Sequence, residues 1–367
     1  MLILLDCRPF SLSAPDTEKG CLFFAVAAAL ARDPGVQWLL VAGPSGTLPD
    51  LPGTRLIRQR VLPGKLGWRL WYDVQIPRLA KKYKAGLVMT TGGIAARTPL
   101  SQTLWMPERA NPQESRSWPP LYPSRLMESL HRAEQVICYS ERDRAWLSGR
   151  EAKAADKLVV LHPSPARSAA PLSLEGREQA KAEFAQGREY FLADAAATGE
   201  EGLIHLLKAF SLFKRRQQSN LQLLVKGFPE GDQWKKLDTY KYRGDVHACP
   251  PSLAADARLM AGAYALLFLF EGNSLGQPVL DAWKSGVPVI AATGGVVQDL
   301  AGDAALTADG ADPASLAAHL MSVYKDEQLR SRLIARGQAR LADFGPEGTI
   351  DAVRSVIGRS VESPEIS

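Results

Sequence analysis

The chain has 367 residues, 46% of them hydrophobic and 23% charged. That is enough for two domains with separate cores, and too balanced for a disordered or fibrous polypeptide. Its net charge of +5 and pI near 9.0 suit phosphate-bearing ligands or an anionic membrane surface, with solvated Lys and Arg on helix faces as the plain alternative. The four cysteines, Cys7, Cys21, Cys138 and Cys249, have no C-x-x-C or metal-ligand spacing and read as reduced thiols. His131, His162, His205, His247 and His319 are scattered, so no metal site is expected, and no nucleic-acid-binding motif is present. The first residues enter a strand without a basic leader, and the apolar run Cys21 to Ala31 is only eleven residues, too short to span a bilayer. The expectation is a cytoplasmic protein, at most peripheral to the inner membrane.

In chain order, strands and helices alternate as in a doubly wound α/β protein. Leu2 to Leu5 and Val36 to Val41 read as parallel strands, with an Ala-rich helix from Phe23 to Arg32 between them. Leu66 to Tyr83 reads as a helix, Gly86 to Thr90 and Gln102 to Trp105 as strands, Met127 to Glu134 as a helix and Gln135 to Tyr139 as a strand. Ser140 stands as an N-cap before Glu141, Arg142 and Asp143, and Leu158 to Leu161 closes this half. Arg55, Arg58, Arg60, Lys65, Arg69, Lys81, Lys82 and Lys84 concentrate positive charge here. Trp68, Trp71 and Tyr72 lie among them and are expected to pack their helix onto the sheet.

The stretch from His162 to Phe184 contains Pro163, Pro165 and Pro171 and reads as an interdomain linker. Beyond it come a strand at Tyr190 to Ala193, a helix at Leu203 to Gln217, a strand at Leu221 to Val225 ending on Lys226, and a strand around Val246. Ala263 to Phe270 is a continuous apolar run fit for a strand buried on both faces. Glu271 to Gln277 breaks it with Gly272, Asn273, Ser274 and Gly276, and Pro278 opens a helix through Asp281 and Lys284 that Gly286 ends. A Gly-rich turn feeding a helix N-terminus is an anion site by its dipole and amides, although an ordinary strand-loop-helix crossover has the same local pattern.

The segment from Ala263 to Leu306 resembles the C-terminal signature of the family 4 retaining glycosyltransferases, in the form common in Bacteroidetes. Gly276, Pro278, Ala282, Gly286, Pro288, Val289, Gly302, Asp303 and Ala304 fall on that pattern, as do the landmarks Leu206 to Lys214, Tyr240 to Val246 and Tyr324 to Glu327. The resemblance implies a GT-B fold, with two Rossmann-like doubly wound domains facing across a cleft. It divides the chain into an acceptor-side domain at 1–165, a linker at 166–184, a nucleotide-sugar donor domain at 185–345, and a segment at 346–367 whose helix returns to the first domain before an acidic tail. The donor would be UDP- or GDP-linked, with no further cofactor, and the acceptor a glycan or lipid-linked molecule.

The same alignment places site residues and exposes degenerate motifs. Asn273 stands at the first Glu of the family's E-x7-E motif, with Glu271 two residues early, and Asp281 stands at the second Glu as the ribose ligand. Ser274, Leu275, Gly276 and Gln277 would line the donor site, with Lys226 near a phosphate. Glu200 and Glu201 occupy the positions where an Arg and a Lys hold the donor pyrophosphate, and Glu108 is the acid that remains where the family has a His-Asp pair. Asn273, Glu271 and Glu108 are thus the candidate catalytic groups. Two carboxylates facing a diphosphate weaken donor binding. The expected function is sugar transfer from a nucleotide sugar, with weak activity. The alternative is an inactive homologue that acts as a binding or scaffolding partner, while a dehydrogenase is disfavoured because no G-x-G-x-x-G follows a strand at the start of either half.

Overall fold

A computed structural model of the protein describes residues 1–11, 18–33, 35–45, 48–51, 53–107, 121–194, 199–226, 239–249, 257–269, 275–293 and 295–362. Its contacts divide the chain into two compact units, Met1–Pro163 with Pro346–Ser367, and Ser164–Gly345.

The first unit holds a parallel seven-stranded sheet in the order β3-β2-β1-β4-β5-β6-β7. Its strands are β1 (Leu2–Asp6), β2 (Gln37–Ala42), β3 (Thr54–Arg58), β4 (Leu87–Thr90), β5 (Gln102–Trp105), β6 (Gln135–Cys138) and β7 (Leu158–Val160). Central strands such as β4 and β6 are buried throughout, as expected where helices cover both faces. β3 was not legible as a strand: Thr-Arg-Leu-Ile-Arg carries two arginines and is largely exposed because it pairs on one side only, at the sheet edge. The helix expected from Leu66 to Tyr83 runs as Gly64–Leu70 and Ile76–Tyr83, joined by a π-helical turn at Trp71–Gln75. Ser140 caps the helix Glu141–Arg150, its Oγ accepting the Asp143 N–H at 3.0 Å. The last helix, Pro346–Glu362, belongs to this unit, where the Ser360 Oγ lies 2.9 Å from that of Thr103 on β5 and Thr349 donates to the His162 carbonyl.

The second unit holds a parallel six-stranded sheet in the order β10-β9-β8-β11-β12-β13. Its strands are β8 (Tyr190–Asp194), β9 (Gln222–Lys226), β10 (Val246–Ala248), β11 (Ala265–Phe268), β12 (Val289–Ala292) and β13 (Ala305–Ala308). The apolar run around β11 shows why a strand needs no polar face here. Leu266 and Phe268 enter one core with Val279, Leu280 and Trp283, whereas Ala265, Leu267 and Leu269 enter the other with Phe210, Phe213 and Leu320. Alternate residues thus feed two cores on opposite faces of one sheet.

The stretch read as a linker carries a helix, Leu174–Ala185, capped by the Ser173 Oγ on the Gly176 N–H. The three prolines all precede it, and Ser173, Glu175 and the Ala-, Glu- and Lys-rich run beyond them form a helix start that the proline content obscured. Among the described residues no helix is long and apolar enough to cross a membrane.

Candidate functional site

In an open parallel sheet, ligands bind outside the carboxyl ends of the strands where the strand order reverses, because the connections there leave on opposite faces and open a crevice. In the second unit that point lies between β8 and β11. Two helices start near it, Gly199–Gln217 after β8 and Gln277–Lys284 after β11. Their N-terminal amides and dipoles favour a bound anion.

Gly276 shapes the second of these starts. It is the N-cap of Gln277–Lys284 with φ of +86°, and a Cβ there would lie 2.2 Å from the Leu300 Cδ1. The turn is therefore closed to any side chain, on conformational and steric grounds together. Pro278 sits in the first turn, where its missing N–H costs nothing. Val279, Leu280, Ala282 and Trp283 are buried and anchor the helix, which leaves Gln277, Asp281 and Lys284 half-buried.

Asp281 and Lys284 converge on one residue: the Ala166 N–H donates to the Asp281 Oδ1 at 2.6 Å, and the Lys284 Nζ donates to the Ala166 carbonyl at 2.8 Å. Burial raises the Asp281 carboxyl above its ordinary range, opposed by the Ala166 hydrogen bond and by the charges of Lys226 and Lys284. Lys226 ends β9 in register with Asp194 at the end of β8. Its charge also lowers the Cys249 thiol, which burial pushes up to about 11. Lys226, Asp281 and Lys284 therefore share one electrostatic neighbourhood. The ribose role expected for Asp281 meets a carboxylate that already accepts a backbone hydrogen bond.

Glu200 and Glu201 lie in the first turn of Gly199–Gln217, with Glu201 exposed. The Glu201 carboxylate at that end complements the helix dipole and occupies the field that an anion would use. Leu275 is buried beside Gly276. Asn273, Glu271, Ser274 and Glu108 lie outside the described residues.

A second polar constellation, missed in the sequence, occupies the reversal point of the first sheet between β1 and β4. Asp6 ends β1 fully buried; its Oδ1 accepts from the Arg8 N–H and the Trp71 Nε1, and its Oδ2 from the Tyr72 hydroxyl, each at 3.0 Å. Burial raises its carboxyl to about 6, against those hydrogen bonds and the Arg8 charge, which pull it down. The Arg8 guanidinium stacks 3.9 Å over the Trp68 ring and donates to the Gly67 carbonyl. Lys19 is also buried and donates to the Thr91 carbonyl at 2.6 Å, and Thr91 donates to the Asp6 carbonyl. The available signal was Asp-Cys-Arg directly after the first apolar strand, charged residues at the carboxyl edge where a buried run should end.

Residues 175–340 match the family described as "Glycosyl transferases group 1". That segment is similar to a group 1 glycosyltransferase domain. It contains β8 to β13 and both helix starts described above. A stretch of 126 residues is 32% identical to O-antigen chain mannosyltransferase B of Escherichia coli, covering 34% of this chain and 30% of that protein. The chain thus aligns with less than a third of its curated relative.

The fold likeness extends through both units. HepE of Anabaena, solved with UDP and glucose, superposes with a TM-score of 0.72 at 15% identity over 98% of this chain and 99% of that one. A glycosyltransferase of Rickettsia africae gives 0.76 at 13% over 99% of each chain, and WaaG, a glycosyltransferase involved in lipopolysaccharide biosynthesis, 0.68 at 16% over 96% and 99%. At these identities the likeness concerns fold, and that fold is the GT-B pair of Rossmann-like domains expected from the sequence.

Proposed function

We propose that the protein transfers a sugar from a UDP- or GDP-linked donor to a glycan or lipid-linked acceptor in polysaccharide biosynthesis, working in the cytoplasm as a member of the family 4 retaining enzymes. The observation that carries this is the group 1 glycosyltransferase match over residues 175–340, the part of the chain that holds the strand reversal at β8 and β11, the Gly276 turn and Lys226. A related fold has been solved with UDP and with UDP-glucose, which supports a nucleotide-sugar donor at this edge.

In this reading the diphosphate approaches the start of Gln277–Lys284 and the Lys226 ammonium. The Gly276 turn permits close approach by backbone, and Gln277 and Asp281 offer polar contacts to the nucleoside. Asn273 supplies hydrogen bonds to the transferred sugar without the negative charge that would stabilise an oxocarbenium-like transition state. The carboxylates of Glu200 and Glu201 weaken the pyrophosphate site, so donor affinity and turnover are low. The same pair, together with Asn273, favours a second reading, an inactive homologue that serves as a binding or scaffolding partner. Calorimetric titration with UDP, GDP and their sugars separates the two. Dissociation constants near the micromolar range support the transferase, whereas silence at about millimolar ligand removes it.

A further inference from the structure

The helix Gln277–Lys284 turns one face to the core and the other to a single turn of chain. On the core side Val279, Leu280, Ala282 and Trp283 are buried. Trp283 fills the space that Gly337 leaves, since a Cβ at Gly337 would come within 2.3 Å of the Trp283 Cδ1. A helix keyed in this way cannot roll about its axis without opening the core. On the other side Gln277, Asp281 and Lys284 follow one another at intervals of four and three residues, which places them on one helix face.

That face meets a turn within the same unit, closed by the Ala169 N–H on the Ala166 carbonyl at 3.2 Å. The helix engages both polar groups of Ala166, its N–H through the Asp281 Oδ1 and its carbonyl through the Lys284 Nζ. The turn has little freedom of its own. Pro163, Pro165 and Pro171 fix the backbone on either side of it, Ala169 is buried, and the Ser173 cap starts the helix Leu174–Ala185 directly beyond. The prolines therefore give Ala166 a stiff mount on the helix face.

The consequence falls on Asp281. Its Oδ1 is held by Ala166, whereas its Oδ2 receives no hydrogen bond among the described residues. A carboxylate offers lone pairs on both oxygens, so a ligand can use Oδ2 without displacing Ala166. The Ala166 N–H and the charges of Lys226 and Lys284 favour the ionised, accepting form against burial, which opposes it. An aspartate held at one oxygen has already lost the rotamer freedom that a ligand would otherwise have to quench. We propose that the Ala166 turn and Lys284 are positioning elements of the donor site: with Oδ1 held, the Asp281 Oδ2 accepts from the ribose hydroxyls of the nucleotide and selects for a sugar that carries them. This rests on the reading of the second unit as a nucleotide-sugar site, and adds to it residues that the nucleotide need not touch.

Calorimetry of the full chain with UDP and GDP, each beside its dideoxy counterpart lacking both ribose hydroxyls, tests it. The natural chain should favour the ribonucleotide by about tenfold or more, the usual worth of a hydrogen bond to a charged acceptor. Lys284→Met, which releases the Ala166 carbonyl, and Ala166→Pro, which removes its N–H, should each cut that preference by about three- to tenfold. Affinity for the dideoxy nucleotide should stay unchanged in both, and Lys284→Arg should behave as the natural chain. A purely structural role would weaken both nucleotides alike or neither, and either result overturns the proposal. Tighter ribonucleotide binding by Lys284→Met or Ala166→Pro also overturns it, since the turn would then obstruct Asp281. A natural chain that binds nucleotide with no preference for ribose overturns this proposal and leaves the donor reading standing. Silence of the natural chain and of all three variants at about millimolar nucleotide removes the donor reading and this one with it.

Discussion

Asp281 and Ala166 are joined by a hydrogen bond of 2.6 Å from backbone to carboxylate, although 115 positions separate them in the chain. With Lys284 on the Ala166 carbonyl, one helix face holds both polar groups of a single peptide residue. The carboxylate that the family pattern assigns to a ribose thus also fixes the chain where the second unit begins at Ser164.

Asp281→Ala should lower unfolding stability by about 1.5–3 kcal/mol, the usual cost of deleting a charged partner from a largely buried hydrogen bond. Asp281→Asn keeps an acceptor oxygen and should lose less. Urea unfolding of the two variants measures this, and an Asp281→Ala chain as stable as the natural one would contradict the assigned role.

Gly276→Ala should destabilise the second unit by roughly 1–3 kcal/mol, because it combines a left-handed backbone with a Cβ placed 2.2 Å from the Leu300 Cδ1. Combining it with Leu300→Ala should cost less than the two changes taken separately, since shortening Leu300 makes room. Strict additivity in a double-mutant cycle would show that the clash relaxes elsewhere.

Glu200→Arg with Glu201→Lys should tighten UDP or GDP binding by about a hundredfold or more, at about 1.5–3 kcal/mol for each charge-assisted hydrogen bond gained. Adding Asn273→Glu should raise the transfer rate rather than the affinity. Calorimetry and a donor-hydrolysis assay read the two effects separately. Tight binding by the natural chain that the first pair abolishes would mean that the pyrophosphate lies elsewhere.

The Asp6 carboxyl titrates near 6 in the folded chain against an ordinary 3.8. A carboxyl raised on folding binds its proton more tightly in the native state, so its contribution to stability is fullest below pH 3.8 and is lost as pH rises through 6. The stability of the natural chain relative to Asp6→Asn should therefore fall by about 3 kcal/mol over that window. A difference independent of pH would place the Asp6 titration elsewhere.

Much of the second unit was legible because its signals are local. The apolar run that holds β11, Gly276 after it, Pro278 and Gly286 specify strand, turn and helix through backbone preferences that act over a few residues, and Lys226 could be placed at a strand end from the run that precedes it. The helix Leu174–Ala185 was hidden by the prolines ahead of it, and β3 by its charges, since an edge strand need not alternate cleanly. Asp6 and Arg8 escaped notice because their partners, Trp71, Tyr72, Trp68 and Gly67, lie some sixty positions away.

By itself, then, the sequence determined the alternating α/β order, the Gly276 turn and a resemblance to glycosyltransferases of the GT-B fold. Only the tertiary structure decided that Asp281 and Lys284 grip Ala166, that a carboxylate is buried at the end of β1, and that Leu66, Leu70 and Val74 face outward while Trp68, Trp71 and Tyr72 face in. Each of those outcomes depends on which distant residues reach the same place, and burial and hydrogen bonding act on distance in space, which neighbouring positions in a chain do not encode.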